Sequence, residues 1–84
     1  MKEVFIVSCR YELDSLPCYL RLEESLEEKG KIGVSALIKE AIKFDTYNAA
    51  LEVLLQVLDG LKDKHKAGEM YLIPYLQIEK HYTF

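Results

Sequence analysis

The segment KEAIKFDTYNAALEVLLQVLDGL, residues 39–61, constrains the fold more than any other part of this chain. It reads as a short strand at residues 42–44, a helix cap, and then one long helix over about residues 46–66. Asp45 or Thr46 serves as the N-cap, since either side chain can accept a hydrogen bond from the orphan amides of a first turn. At about 3.6 residues per turn, Asn48, Glu52, Gln56, Asp59 and Asp63 gather on one arc, opposed by Ala50, Val53, Leu54, Val57, Leu58 and Leu61. Tyr47, Leu51 and Leu55 widen the apolar sector to roughly 200°, about twice what a surface helix needs. A helix of that character has to be covered from two sides. Lys62, Lys64 and Lys66 complement its negative end, and Gly68 is placed to close it.

The strands that would cover it are legible around the helix. Residues 4–11 are rich in Val, Ile, Phe and Tyr and suit a strand. Phe5, Val7, Cys9 and Tyr11 form the better core face; Val4, Ile6, Ser8 and Arg10 form a mixed face that predicts partial exposure. Residues 12–17, ELDSLP, carry turn chemistry. Residues 18–23 then alternate, with Cys18, Leu20 and Leu22 against Tyr19, Arg21 and Glu23, the period-two pattern of a half-buried strand. A rival reading stays open: a helix capped by Ser15, with Pro17 in its first turn, running to Gly30. Residues 24–33 read as a loop, residues 34–40 as a short helical turn opened by Ser35, and residues 70–84 as a last strand. Pro74 marks an edge position or a bulge there. The pattern predicts an α+β fold, with an antiparallel sheet of three or four strands packed on one long helix.

Eighty-four residues suit one domain, residues 1–84. Half the residues are apolar and 30% are charged, too apolar a mixture for disorder. A body this small buries only about 60% of its unfolded surface, so some apolar side chains should stay outside unless a partner covers them. The net charge of −3 argues against nucleic acid as the main partner. No apolar run reaches membrane-spanning length, and the N-terminal residues read as a strand, not a signal peptide. Two cysteines are too few for a disulfide scaffold and point to free thiols in the cytoplasm.

The string Lys39-Glu40-Ala41-Ile42-Lys43-Phe44-Asp45-Thr46, followed by Ala50 and Leu54, resembles a segment of small uncharacterised phage and prophage proteins. Those proteins open with an isoleucine-rich strand, continue with a Tyr-Leu strand, enter a helix through E-A-x-x-F-x-T and end in a short strand. Residues 4–7, 19–22, 40–61 and 71–78 match in that order, about half the chain. This chain departs from the pattern in its more apolar helix and longer last strand. The resemblance implies a compact α+β fold and a mobile-element origin; it implies no activity and no site residues.

Residue by residue, the chemistry is sparse. Cys9 and Cys18 come close if residues 4–23 form a hairpin, but no further ligands stand at metal-binding spacing, and free cysteine is among the most buried residue types. The serines have no nucleophile-elbow context. The run KGKIG, residues 29–33, lacks the full phosphate-loop pattern and reads as a turn. Glu23, Glu24, Glu27 and Glu28 form a solvated face or an acidic patch for a basic partner. We therefore expect no catalytic residue, no metal and no cofactor. The expected role is a non-enzymatic protein-interaction domain that self-associates, with a homodimer favoured and a further protein partner unidentified. Its candidate interface comprises Tyr47, Leu51, Leu55, Tyr19 and Tyr75, because tyrosine is enriched at interfaces and large apolar patches mark them. The alternatives are a nucleic-acid-associated regulatory protein and an acidic-patch inhibitor of a nucleic-acid enzyme.

Overall fold

The computed structural model describes residues 1–12, 15–22, 32–69 and 72–83. In chain order they form β1 (Lys2–Arg10), β2 (Cys18–Leu22), β3 (Ile32–Ser35), a 3-10 turn (Ile38–Glu40), α1 (Tyr47–Lys66) and β4 (Tyr75–Thr83). The strands make one antiparallel sheet in the order β3-β2-β1-β4. This is the Greek-key order, in which the fourth strand returns beside the first, and here α1 lies within the returning connection. The fold is α+β, as the periodicities predict.

The helix forms where its cap and its apolar periodicity agree. The N-cap is Thr46, whose hydroxyl accepts from the Ala49 N–H at 3.1 Å; Asp45 instead pairs with Lys2 at 2.8 Å. At the other end Gly68, with φ of 79°, takes the left-handed conformation that suits glycine. Its N–H donates to the His65 carbonyl and the Glu69 N–H to the Lys64 carbonyl, at 3.1 and 2.9 Å. That double bond pattern closes the last turn as a Schellman motif.

The seams of the sheet differ in strength. β1 and β4 pair along nine residues, from Lys2 opposite Thr83 to Arg10 opposite Tyr75. β2 and β3 pair along four. Only two pairs among the described residues join β1 to β2: Ser8 with Tyr19, and Cys9 with Cys18. Beyond them the chain leading to α1 enters between the strands. Phe44 exchanges both backbone hydrogen bonds with Phe5, each 2.9 Å, and the Ile42 N–H donates to the Leu20 carbonyl at 2.9 Å. Those groups are thereby taken from direct β1–β2 pairing.

α1 packs on β1 and β4. The core beneath it centres on Val7, Leu20 and Ala50, with Phe5, Ile42, Phe44, Val53, Leu54, Val57 and Ile78 packed around them.

Several expectations are corrected. Residues 18–22 are strand, so the rival helix does not form there; residues 23–31 lie outside the described residues, with the Glu23, Glu24, Glu27 and Glu28 cluster. Ile32 and Gly33, expected in a loop, belong to β3, because pairing with Leu22 and Arg21 overrides weak local propensity. The helical turn after Ser35 exists but is short, held by the Ser35 hydroxyl accepting from the Leu37 N–H and by an Arg21–Glu40 ion pair. Residues 42–44 give an isolated bridge, not a strand. β4 starts after Pro74, which is buried just ahead of it. The mixed face of β1 is exposed less than expected: Val4, Ile6 and Ser8 are buried, and Arg10 at its end is half-buried. β1 is an inner strand, and its pairing with β4 sets Val4 beside His81 and Ile6 beside Glu79. Tyr11, assigned to the core face, is instead largely exposed.

Candidate functional site

Antiparallel partners share a face of the sheet, so the register sorts every strand side chain. The helix-facing side holds Phe5, Val7 and Cys9 of β1, Cys18, Leu20 and Leu22 of β2, Val34 of β3, and Leu76 and Ile78 of β4. The opposite side holds Val4, Ile6, Ser8 and Arg10 of β1, with Tyr19, Arg21, Tyr75, Gln77, Glu79 and His81. The second side sets polar and charged groups around the buried Val4 and Ile6 and carries ion pairs of its own, such as His81 with Glu79 at 3.1 Å.

The five sequence-predicted interface residues therefore do not form one surface. Tyr47, Leu51 and Leu55 follow one another at i, i+4 along α1 and make a ridge on its flank. Leu55 is 50% exposed and Tyr47 52%, while Leu51 is half-buried. Tyr47 is partly spent on the core, its ring edge-on to Phe5 with centroids 6.1 Å apart. Tyr19 and Tyr75 lie on the helix-free side of the sheet, opposite Ser8 and Arg10. Tyr75 is exposed and Tyr19 half-buried.

A groove that the periodicities do not reveal lies at the other end of the helix-facing side. Because α1 rests on β1 and β4, its last turns stand away from β2 and β3. The space between them is a groove of about 270 Å³ lined by Cys9, Leu20, Val34, Val57, Leu61 and Leu76, together with Tyr11 and Pro74. Val34 and Leu22 are more than half exposed on this side. The lining is apolar apart from the Cys9 thiol and the Tyr11 hydroxyl, so its chemistry is that of receiving apolar side chains. The Cys9 thiol is pushed above its ordinary range, first by burial and then by the neighbouring Cys18, which makes it a poor nucleophile near neutral pH. Among the described residues no three of His, Cys, Asp and Glu converge to hold a metal ion. No helix among them is long and apolar enough to cross a membrane.

No protein-family model matches this chain, and no curated protein or solved structure matches it.

Proposed function

We propose that this chain is a non-enzymatic protein-interaction domain that self-associates through its uncovered apolar surface. The observation that carries this reading is the placement of exposed apolar side chains around one helix. Tyr47 and Leu55 stand exposed on its flank, and Val34 and Leu22 beside the groove at its far end. Apolar surface that a chain leaves open in this way is a common mark of interfaces, and a two-fold dimer is the most frequent closed arrangement. The resemblance to phage and prophage proteins supports a mobile-element setting, and the two free thiols support the cytoplasm as its compartment.

Light scattering after size exclusion tests the proposal. A dimer gives twice the 9.7 kDa chain mass; a mass that stays at one chain across a wide concentration range removes self-association. Leu55→Lys should give a monomer with an unchanged circular dichroism spectrum, whereas loss of the spectrum would assign Leu55 to the core. A salt-sensitive complex with nucleic acid at low ionic strength would favour the regulatory alternative instead.

A further inference from the structure

Cys9 and Cys18 stand directly opposite each other on β1 and β2, and both are free thiols. Opposed residues of an antiparallel pair have Cα atoms about 4.5–5.5 Å apart, inside the ~4.4–6.8 Å that a disulfide spans. Since opposed residues share a face, both side chains project to the helix-facing side. The two sulfurs differ in access: Cys9 is buried and Cys18 half-buried. Cys18 is therefore the sulfur that a reagent reaches first. Each thiol is near enough for the charge of Cys18 to act on Cys9, which agrees with the register.

We infer that Cys9 and Cys18 form a reversible dithiol–disulfide site that reacts with small organic disulfides by thiol–disulfide exchange. The Cys18 thiolate attacks one sulfur of a disulfide RSSR; that S–S bond breaks, and RS⁻ leaves and takes up a proton. Cys9 then releases its proton, attacks the Cys18 Sγ and expels the second RS⁻. The protein thiols together lose two electrons and two protons, and RSSR becomes two RSH. Opposed Cβ atoms in a sheet sit about 4.5–5.5 Å apart, at or just beyond the ~3.5–4.5 Å of a disulfide, so closure asks for no more than a small approach of the two strands. The bond also falls on the seam where β1 and β2 share only two residue pairs among the described residues. Oxidation staples the β2–β3 hairpin to the rest of the sheet, and reduction frees it.

The test uses the full reduced chain, without denaturant, exposed to oxidised glutathione and then alkylated with N-ethylmaleimide before intact-mass measurement. The expected product is a single chain lighter by its two thiol hydrogens, carrying no alkyl group, and restored by dithiothreitol. Cys9→Ser should stop at a stable glutathione adduct on Cys18, and Cys18→Ser should carry no glutathione and keep Cys9 as a free thiol, alkylated once the quenched protein is denatured. The same adduct persisting in the unaltered chain, alkylation of both thiols, a disulfide-linked pair of chains, or ring closure only in urea would each overturn the proposal. The two serine variants are checked by circular dichroism. If Cys9→Ser fails to fold, the expected mass of the unaltered chain and the Cys18→Ser result still decide the question. An oxidised protein whose melting temperature does not rise would remove the stapling role.

Discussion

Single residues account for the ends of the helix and for the centre of the core, and each can be tested alone. The Thr46 hydroxyl satisfies one amide of the first turn, so Thr46→Ala should cost about 1 kcal/mol in urea denaturation, with Thr46→Ser largely neutral. Two glycines give opposite signs for the same change. Gly60 is in the helix with open space around it, so Gly60→Ala should stabilise by about 1 kcal/mol. Gly68 also has open space, but its φ of 79° disfavours any side chain, so Gly68→Ala should destabilise by roughly 1–2 kcal/mol. Ala50 is fully buried between helix and sheet, and Ala50→Leu should cost about 1–3 kcal/mol through overpacking. Cys9 supplies a pH dependence. Its thiol in the folded reduced protein sits above the usual value of 9.0, because burial, and next the Cys18 charge, disfavour the thiolate. The unfolded chain ionises first, so the contribution is complete below that value and is lost as the pH climbs from there toward the folded pKa. Stability of the reduced protein should fall over that alkaline window, and Cys9→Ala should flatten the decline.

At the scale of elements, the sheet divides at its β1–β2 seam. Nine residue pairs hold β1 to β4, while two pairs and the bonds through Ile42 and Phe44 hold β2 to β1. Opening there exposes less apolar surface than global unfolding does. Amide hydrogen exchange should therefore show β2 and β3 opening at a lower free energy than β1 and β4; equal protection across all four strands would contradict this division. Much of this arrangement is legible in the residues. The cap at Thr46, the polar arc from Asn48 to Asp63 and the alternation from Cys18 to Leu22 are local patterns, and local patterns survive in sequence. β3 is not legible, because Ile32 and Gly33 become strand by pairing with β2 and carry little strand preference of their own. The burial of Val4 and Ile6 is hidden for the same reason, since it depends on β1 having neighbours on both sides. The closeness of Cys9 and Cys18 follows from the expected hairpin, whereas the groove depends on where α1 crosses the sheet. No periodicity encodes that crossing.

For the whole molecule, the uncovered apolar surface is the feature most open to test, through the mass measurement and Leu55→Lys. The helix ridge and the groove lie toward opposite ends of α1, so two copies could meet on either. Val34→Lys distinguishes them: it should dissociate a dimer that uses the groove and leave intact one that uses the Leu55 ridge.

The long β1–β4 pairing also bears on how the chain is made. Lys2 and Thr83 are partners, so β1 leaves the ribosome well before β4, the strand it pairs with most. Until β4 arrives, Val4, Ile6 and Val7 have no neighbour on that side, and their apolar edge stays available to other chains. Contacts this distant in sequence slow folding, and a nascent chain with an unpaired strand is prone to aggregate. Yield in the cell should therefore depend on synthesis being completed quickly, and ribosome stalling within α1 should send this protein to chaperones or into aggregates.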